Sequence, residues 1–62
     1  MRLTPRQKEI ARLLADGLTQ RQIAHRLGVS YRTITGTTDN MRRRTGLVTA
    51  QIAVKAAMGE FR

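Results

Sequence analysis

The stretch that decides the fold is residues 19–34, TQRQIAHRLGVSYRTI. Thr19 is an N-cap residue type with Gln22 three positions on, the spacing of a capping box. Ile23, Ala24 and Leu27 then fall on one helical face, and Gly28 follows as a left-handed stop residue. Val29 is placed to close back hydrophobically on the last turn. Ser30 caps again at once. The spacing therefore predicts a helix over 20–27 and another that begins at Tyr31, joined by a connection short enough to force a sharp change of direction. That is helix-turn-helix spacing.

The same punctuation continues on both sides. Upstream, Thr4 is a cap, Pro5 sits at the first helical position where its missing N–H costs nothing, and Gln7 completes a second box. Gly17 closes a helix over about 5–16, whose face of Ile10, Leu13 and Leu14 is apolar while Arg6, Lys8, Glu9 and Arg12 point to water. Downstream, Ile34, Thr38, Met41 and Thr45 recur in steps of four, three and four and mark the inward face of a third helix over 31–44. Gly36 lies inside it and costs about 1 kcal/mol relative to alanine, so tertiary packing must hold this helix. Gly46 ends it, Thr49 is the expected cap of a fourth helix over 50–58, and Gly59 releases the tail. Ala50, Ala53, Val54, Ala56, Ala57 and Met58 cover more than one face of that fourth helix, which suggests a dimer contact. The expectation is an all-α, small four-helix domain over residues 1–62, with a helix-turn-helix and a fourth helix available for dimerisation.

Composition narrows the function. A chain of 62 residues buries only about 60% of its unfolded surface, which leaves no room for a deep substrate cleft beside a core. No acid, base or nucleophile converges with another on paper: Ser30 is explained as a cap, Glu9 and Asp16 stand alone, and there is no phosphate-binding glycine loop. An enzyme is not expected. The absence of cysteine excludes disulfides, thiolate zinc sites and thiol nucleophiles. His25 has no partner at metal-ligand spacing, so neither metal nor cofactor is expected. The longest uncharged stretch, residues 45–54, is far below the roughly 20 apolar residues of a membrane span, and no signal-peptide pattern opens the chain. A soluble, cytoplasmic protein fits. Twelve Lys+Arg against four Asp+Glu give a net charge of +8, and the isoelectric point is about 11.8. Polyanions are the first partners to consider.

With Ile34, Thr38 and Met41 turned inward, helical spacing places Arg32, Thr35, Gly36 and Asp39 on the opposite face. Arg32 can reach a base edge, Thr35 offers a hydroxyl and a methyl, and Gly36 lets the backbone come close. Asp39 can accept from cytosine but repels a nearby phosphate. Arg42, Arg43 and Arg44 follow, an ordinary solvated face in an arbitrary protein but, at the end of this helix, phosphate contacts. The expected DNA-facing set is Arg32, Thr35, Gly36 and Asp39 toward bases, with Thr37, Arg42 and Arg43 toward phosphates. Thr19 and Gln20 approach a phosphate through backbone amides at a helix N-terminus. Tyr31 reads equally as a phosphate or sugar contact and as packing of the capping turn. Arg21, His25 and Arg26 are weaker signals on the second helix.

Residues 3–34, LTPRQKEIARLLADGLTQRQIAHRLGVSYRTI, with AQIAV at 50–54, resemble the LuxR/FixJ-type (GerE) helix-turn-helix domain of bacterial transcription regulators. The more specific pieces are Leu3-Thr4-Pro5-Arg6 with Glu9, then Gly17-Leu18-Thr19, Ile23-Ala24 with Leu27-Gly28-Val29-Ser30, and Arg32-Thr33-Ile34. The resemblance implies a four-helix domain whose second and third helices bind DNA, the third in the major groove. It also implies dimerisation through the fourth helix, here at Thr49, Ala50, Ala53, Val54 and Ala57. Departures fall where the family reads DNA: Thr35 stands where lysine is common, Thr37 where histidine is common, and Asp39 where a polar or basic residue is frequent. Thr45 replaces a usual core leucine, and Gln7 and Gln22 replace common glutamates. Most members carry this domain behind a receiver or ligand-binding domain; this sequence reads either as an excised effector domain of that kind or as a stand-alone small regulator, and Met1 directly before the motif favours the second.

Two classes of function follow. The first is a sequence-specific DNA-binding transcription regulator acting as a homodimer on double-stranded DNA. The second, motivated by Thr35 and Asp39 on the reading face, is a protein-interaction module that binds RNA polymerase or a related regulator and modulates transcription without reading DNA itself.

Overall fold

The computed structural model describes residues 3–61. These form α1 (Pro5–Ala15), α2 (Gln20–Leu27), α3 (Tyr31–Thr45) and α4 (Thr49–Ala57) in that order. The capping residues seen in the sequence set the starts. The Gln7 N–H donates to Thr4 Oγ1 at 3.1 Å while the Thr4 N–H donates to Gln7 Oε1 at 3.0 Å. Thr19 and Gln22 repeat the exchange at 3.1 and 2.8 Å, and Ser30 Oγ accepts from the Thr33 N–H at 3.1 Å. Each box removes two N–H groups from the set a helix start leaves unpaired.

The α4 start corrects the sequence reading. Thr49 is the first helical residue, and the cap is Val48 in extended conformation. Valine has no side-chain acceptor, so only the second half of a box forms, with the Val48 N–H donating to Gln51 Oε1 at 3.0 Å. The reason lies at the end of α3. Thr45 runs one residue past the expected boundary, donates its hydroxyl to the Met41 carbonyl at 2.8 Å and accepts from the Leu47 N–H at 3.2 Å. Its polar atom thus organises the turn, half-buried Leu47 packs on the core, and the next helix starts a residue early.

Gly28 joins α2 to α3. It is left-handed at φ 69° and ψ 31°, its N–H donates to the His25 carbonyl at 3.3 Å, and the Val29 N–H donates to the Ala24 carbonyl at 3.0 Å. These are the two bonds of a Schellman stop. Val29, half-buried, packs against the core.

Two helix pairs make the molecule: α1 packs chiefly on α4, and α2 chiefly on α3. Ile10, Ile23, Ile34, Met41 and Ile52 are the largest fully buried side chains, with Leu3, Ala11, Leu13 and Ala24 around them. All four inward residues of α3 are buried, including Thr38 and Thr45. In α1, Ala11 is fully buried and Leu14 only half so, a shift of the apolar stripe toward α4. The small residues of α4 do not anchor it; Ile52 does, at 1% exposure, and Ala56 packs partly beside it. Among the described residues no buried side-chain polar atom lacks a hydrogen-bond partner. None of their helices is long and apolar enough to cross a membrane.

Two glycines carry opposite stability expectations. A Cβ at Gly28 meets nothing within 4 Å, so alanine there costs only the left-handed backbone, about 1–2 kcal/mol. A Cβ at Gly36 also meets nothing within 4 Å, but its backbone is ordinary helix, so Gly36→Ala stabilises by about 0.5–1 kcal/mol. Circular-dichroism melts should show the midpoint falling several degrees for Gly28→Ala and rising by several for Gly36→Ala.

Candidate nucleic-acid interface

The elbow at Gly28 leaves one long face of α3 to solvent. Arg32, Gly36, Arg42, Arg43 and Arg44 are exposed, and Thr35, Thr37 and Asp39 are half-buried along its flanks. Helical spacing keeps Arg32, Gly36, Asp39 and Arg43 together as one stripe. Asn40 joins it, exposed one turn beyond Gly36. Its carboxamide is suited to an adenine edge, and the sequence reading left it out although the i+4 step from Gly36 was visible. The threonines are less free than their position suggests. Thr35 Oγ1 donates to the Arg32 carbonyl at 3.0 Å and Thr37 Oγ1 to the Thr33 carbonyl at 2.9 Å. Each keeps lone pairs and a methyl for an outside partner, while its proton is held within the helix.

Asp39 and Arg42 form an ion pair, with Arg42 Nη2 2.7 Å from Asp39 Oδ1 and both side chains close to half exposed. Arg32, Arg43 and Arg44 make no ion pair among the described residues. At the α2 start, the Thr19 N–H is occupied by Gln22 Oε1. The amides left without an intrahelical partner are those of Gln20 and Arg21, one step further on. No acidic residue stands in the first turn of α2 or α3, and basic residues occupy the last turn of both. The positive ends of both helix dipoles are therefore uncompensated and favour an external anion.

Two contacts tie the start of α2 to α3, one at the α3 start and one at its middle. The Arg21 guanidinium lies over the Tyr31 ring, 4.2 Å from its centroid, so Tyr31 packs on α2 while keeping 43% exposure. Buried Thr38 Oγ1 sits 3.2 Å from Gln20 Oε1 and 3.0 Å from the Ile34 and Thr35 carbonyls, sharing one proton among three acceptors. This fixes the half-buried Gln20 side chain against α3. His25 and Arg26 are exposed on the outer side of α2. No group of three or more His, Cys, Asp or Glu suited to a metal occurs among the described residues.

On α4, Ala50, Val54, Ala57 and Met58 are exposed, with Val54 at 59% and Met58 at 68%, whereas Thr49 and Ala53 are half-buried. The helix ends at Ala57, one residue before the expected boundary, and Met58, already part of the apolar run of the sequence, is its C-cap and the most exposed large apolar side chain among the described residues.

An all-α fold with an elbowed helix pair, a cationic outer helix and two open helix N-termini defines a helix-turn-helix DNA-binding module. The model of the family of bacterial regulatory proteins of the luxR type matches residues 1–57, and the chain belongs to that family of DNA-binding transcription regulators. No curated protein and no solved structure matches the chain significantly.

The inter-helix bond of Thr38 is open to test. Thr38→Val preserves shape but leaves Gln20 Oε1 and the α3 carbonyls without that hydroxyl, so urea unfolding should show a loss of about 1 kcal/mol. Unchanged stability would mean that the bond does not hold α2 and α3 in register.

Proposed function

We propose that this chain reads duplex DNA with α3 in the major groove, as a homodimer paired through α4, and acts in the cytoplasm as a sequence-specific transcription regulator. The observation that carries the reading is Gly36. A glycine inside a helix costs about 1 kcal/mol against alanine, and here neither backbone nor neighbours require it. It sits at the middle of the outer face, between Arg32 and Arg43, where a missing side chain allows the backbone to approach a groove wall.

In this reading Arg32, Thr35, Gly36, Asp39 and Asn40 face bases. Arg43, Arg42 and Thr37 face phosphates, joined by the Gln20 and Arg21 amides with Thr19 and Tyr31 beside them. Two copies paired through Ala50, Val54, Ala57 and Met58, with Thr49 and Ala53 at the margin, place the α3 helices in successive major grooves, half-sites about 34 Å apart. The exposed apolar face of α4 supports a second reading, in which that face engages RNA polymerase or a related regulator rather than a second copy.

Fluorescence anisotropy with random-sequence duplex at two salt concentrations, beside sedimentation, separates these. A dimer whose affinity falls steeply with salt supports DNA reading. A folded chain that fails to bind at low salt contradicts it. Arg43→Ala should weaken binding to all sequences alike and make the log–log salt slope shallower by about 1, whereas Arg32→Ala should change base preference. Gly36→Ala should lower DNA affinity about tenfold while raising the melting midpoint, a separation that a purely structural glycine cannot give. Val54→Asp should shift the sedimenting species to monomer.

A further inference from the structure

The Asp39–Arg42 pair is an odd feature for a helix that must approach a polyanion. Asp39 is the one acidic residue of α3, on the flank of the stripe formed by Arg32, Gly36 and Arg43. Its carboxylate accepts from Arg42 at 2.7 Å, and the two side chains are 49% and 48% exposed. The other exposed arginines of α3 have no such partner among the described residues. Arg42 thus approaches DNA with its charge already answered, and Asp39 approaches with its repulsion masked.

Resting on the DNA-binding reading above, we propose that this pair is a discriminator: Asp39 withholds Arg42 from phosphates on arbitrary sequence and releases it where the groove offers an amine. To turn its Nη2 edge from Asp39 to a phosphate, Arg42 exchanges one anion for another, which gains little, and leaves Asp39 in the negative potential of the groove. On arbitrary sequence the exchange does not run, and one cation is missing from the footprint. Where a base presents an exocyclic amine in the major groove, N4 of cytosine above all, Asp39 accepts from it instead. Arg42 is then free to bind a phosphate, so one base is read twice, once by Asp39 and once by the added phosphate contact. Asp39 is a specificity residue in direct contact with the base, and Arg42 reports its occupancy to the backbone.

Four proteins test this on random-sequence duplex across a salt series: the unaltered chain, Asp39→Ala, Arg42→Ala and the double variant. Alanine is a good helix former at both positions, so folding is preserved. Asp39→Ala should tighten binding severalfold at low salt and steepen the log–log salt slope by about 1, the signature of one further phosphate contact. In the Arg42→Ala background the same substitution should leave the slope unchanged. In selection from a random pool, the unaltered chain should enrich an amine-bearing base at one position per half-site, and Asp39→Ala should lose that preference. Equal steepening in both backgrounds would overturn the proposal, because Asp39 would then act on DNA without Arg42. An unchanged slope for Asp39→Ala beside salt-dependent binding of the unaltered chain would overturn the proposal alone. Absence of binding by all four would overturn the DNA reading together with it.

Discussion

At Gly28 the backbone turns through a left-handed conformation and the Val29 N–H returns to the Ala24 carbonyl, so α2 ends and α3 begins within three residues. The direction of α3 follows from that stop, because Ser30 caps the new helix before the chain can drift. Val29 packs the turn against the core, the Arg21–Tyr31 contact joins the two helix starts, and the Thr38–Gln20 bond ties the α2 start to the middle of α3. Every feature of the candidate DNA-facing surface sits on this elbow: the outer stripe of α3, the open amides of Gln20 and Arg21, and the flanking arginines. Disturb it, and those groups no longer share a surface.

The rest of the chain is a support for that joint. A core of five large buried side chains is small, and α3 weakens itself further with Gly36 and buried threonines. The fold tolerates the threonines because each hydroxyl finds a carbonyl one turn back, and Thr45 also caps the Leu47 N–H. The α1–α4 pair supplies the back layer through Ile10, Ala11 and Ile52. What α4 does not spend on α1 remains outside as Val54 and Met58, an exposed apolar surface.

Much of this was legible because it is local. Thr4 with Gln7, Thr19 with Gln22, and Gly28 with Ser30 announce helix ends through interactions three to five residues long, and the step pattern of α3 shows its inward face directly. The α4 start was not, since its cap depends on Thr45 reaching Leu47 around a bend, and a valine there carries no capping signal. Ile52 was masked by the alanines around it, whose small size makes every face of α4 look similarly apolar. At the candidate site the stripe itself follows from spacing. The state of its members does not: that Thr35 turns its proton inward, that Asp39 holds Arg42, and that Gln22 occupies the Thr19 amide depend on rotamers and partners.

The central claim is that the face built by the Gly28 elbow is the one that meets DNA. Titrating a short duplex into the isotopically labelled chain and following backbone amide shifts by NMR tests it directly. The largest changes are expected at Gln20, Arg21, Arg32, Gly36 and Arg43, with the Ile10 and Ile52 amides little moved. Changes concentrated on α1 or on the outer face of α4, with Gly36 unaffected, would contradict it.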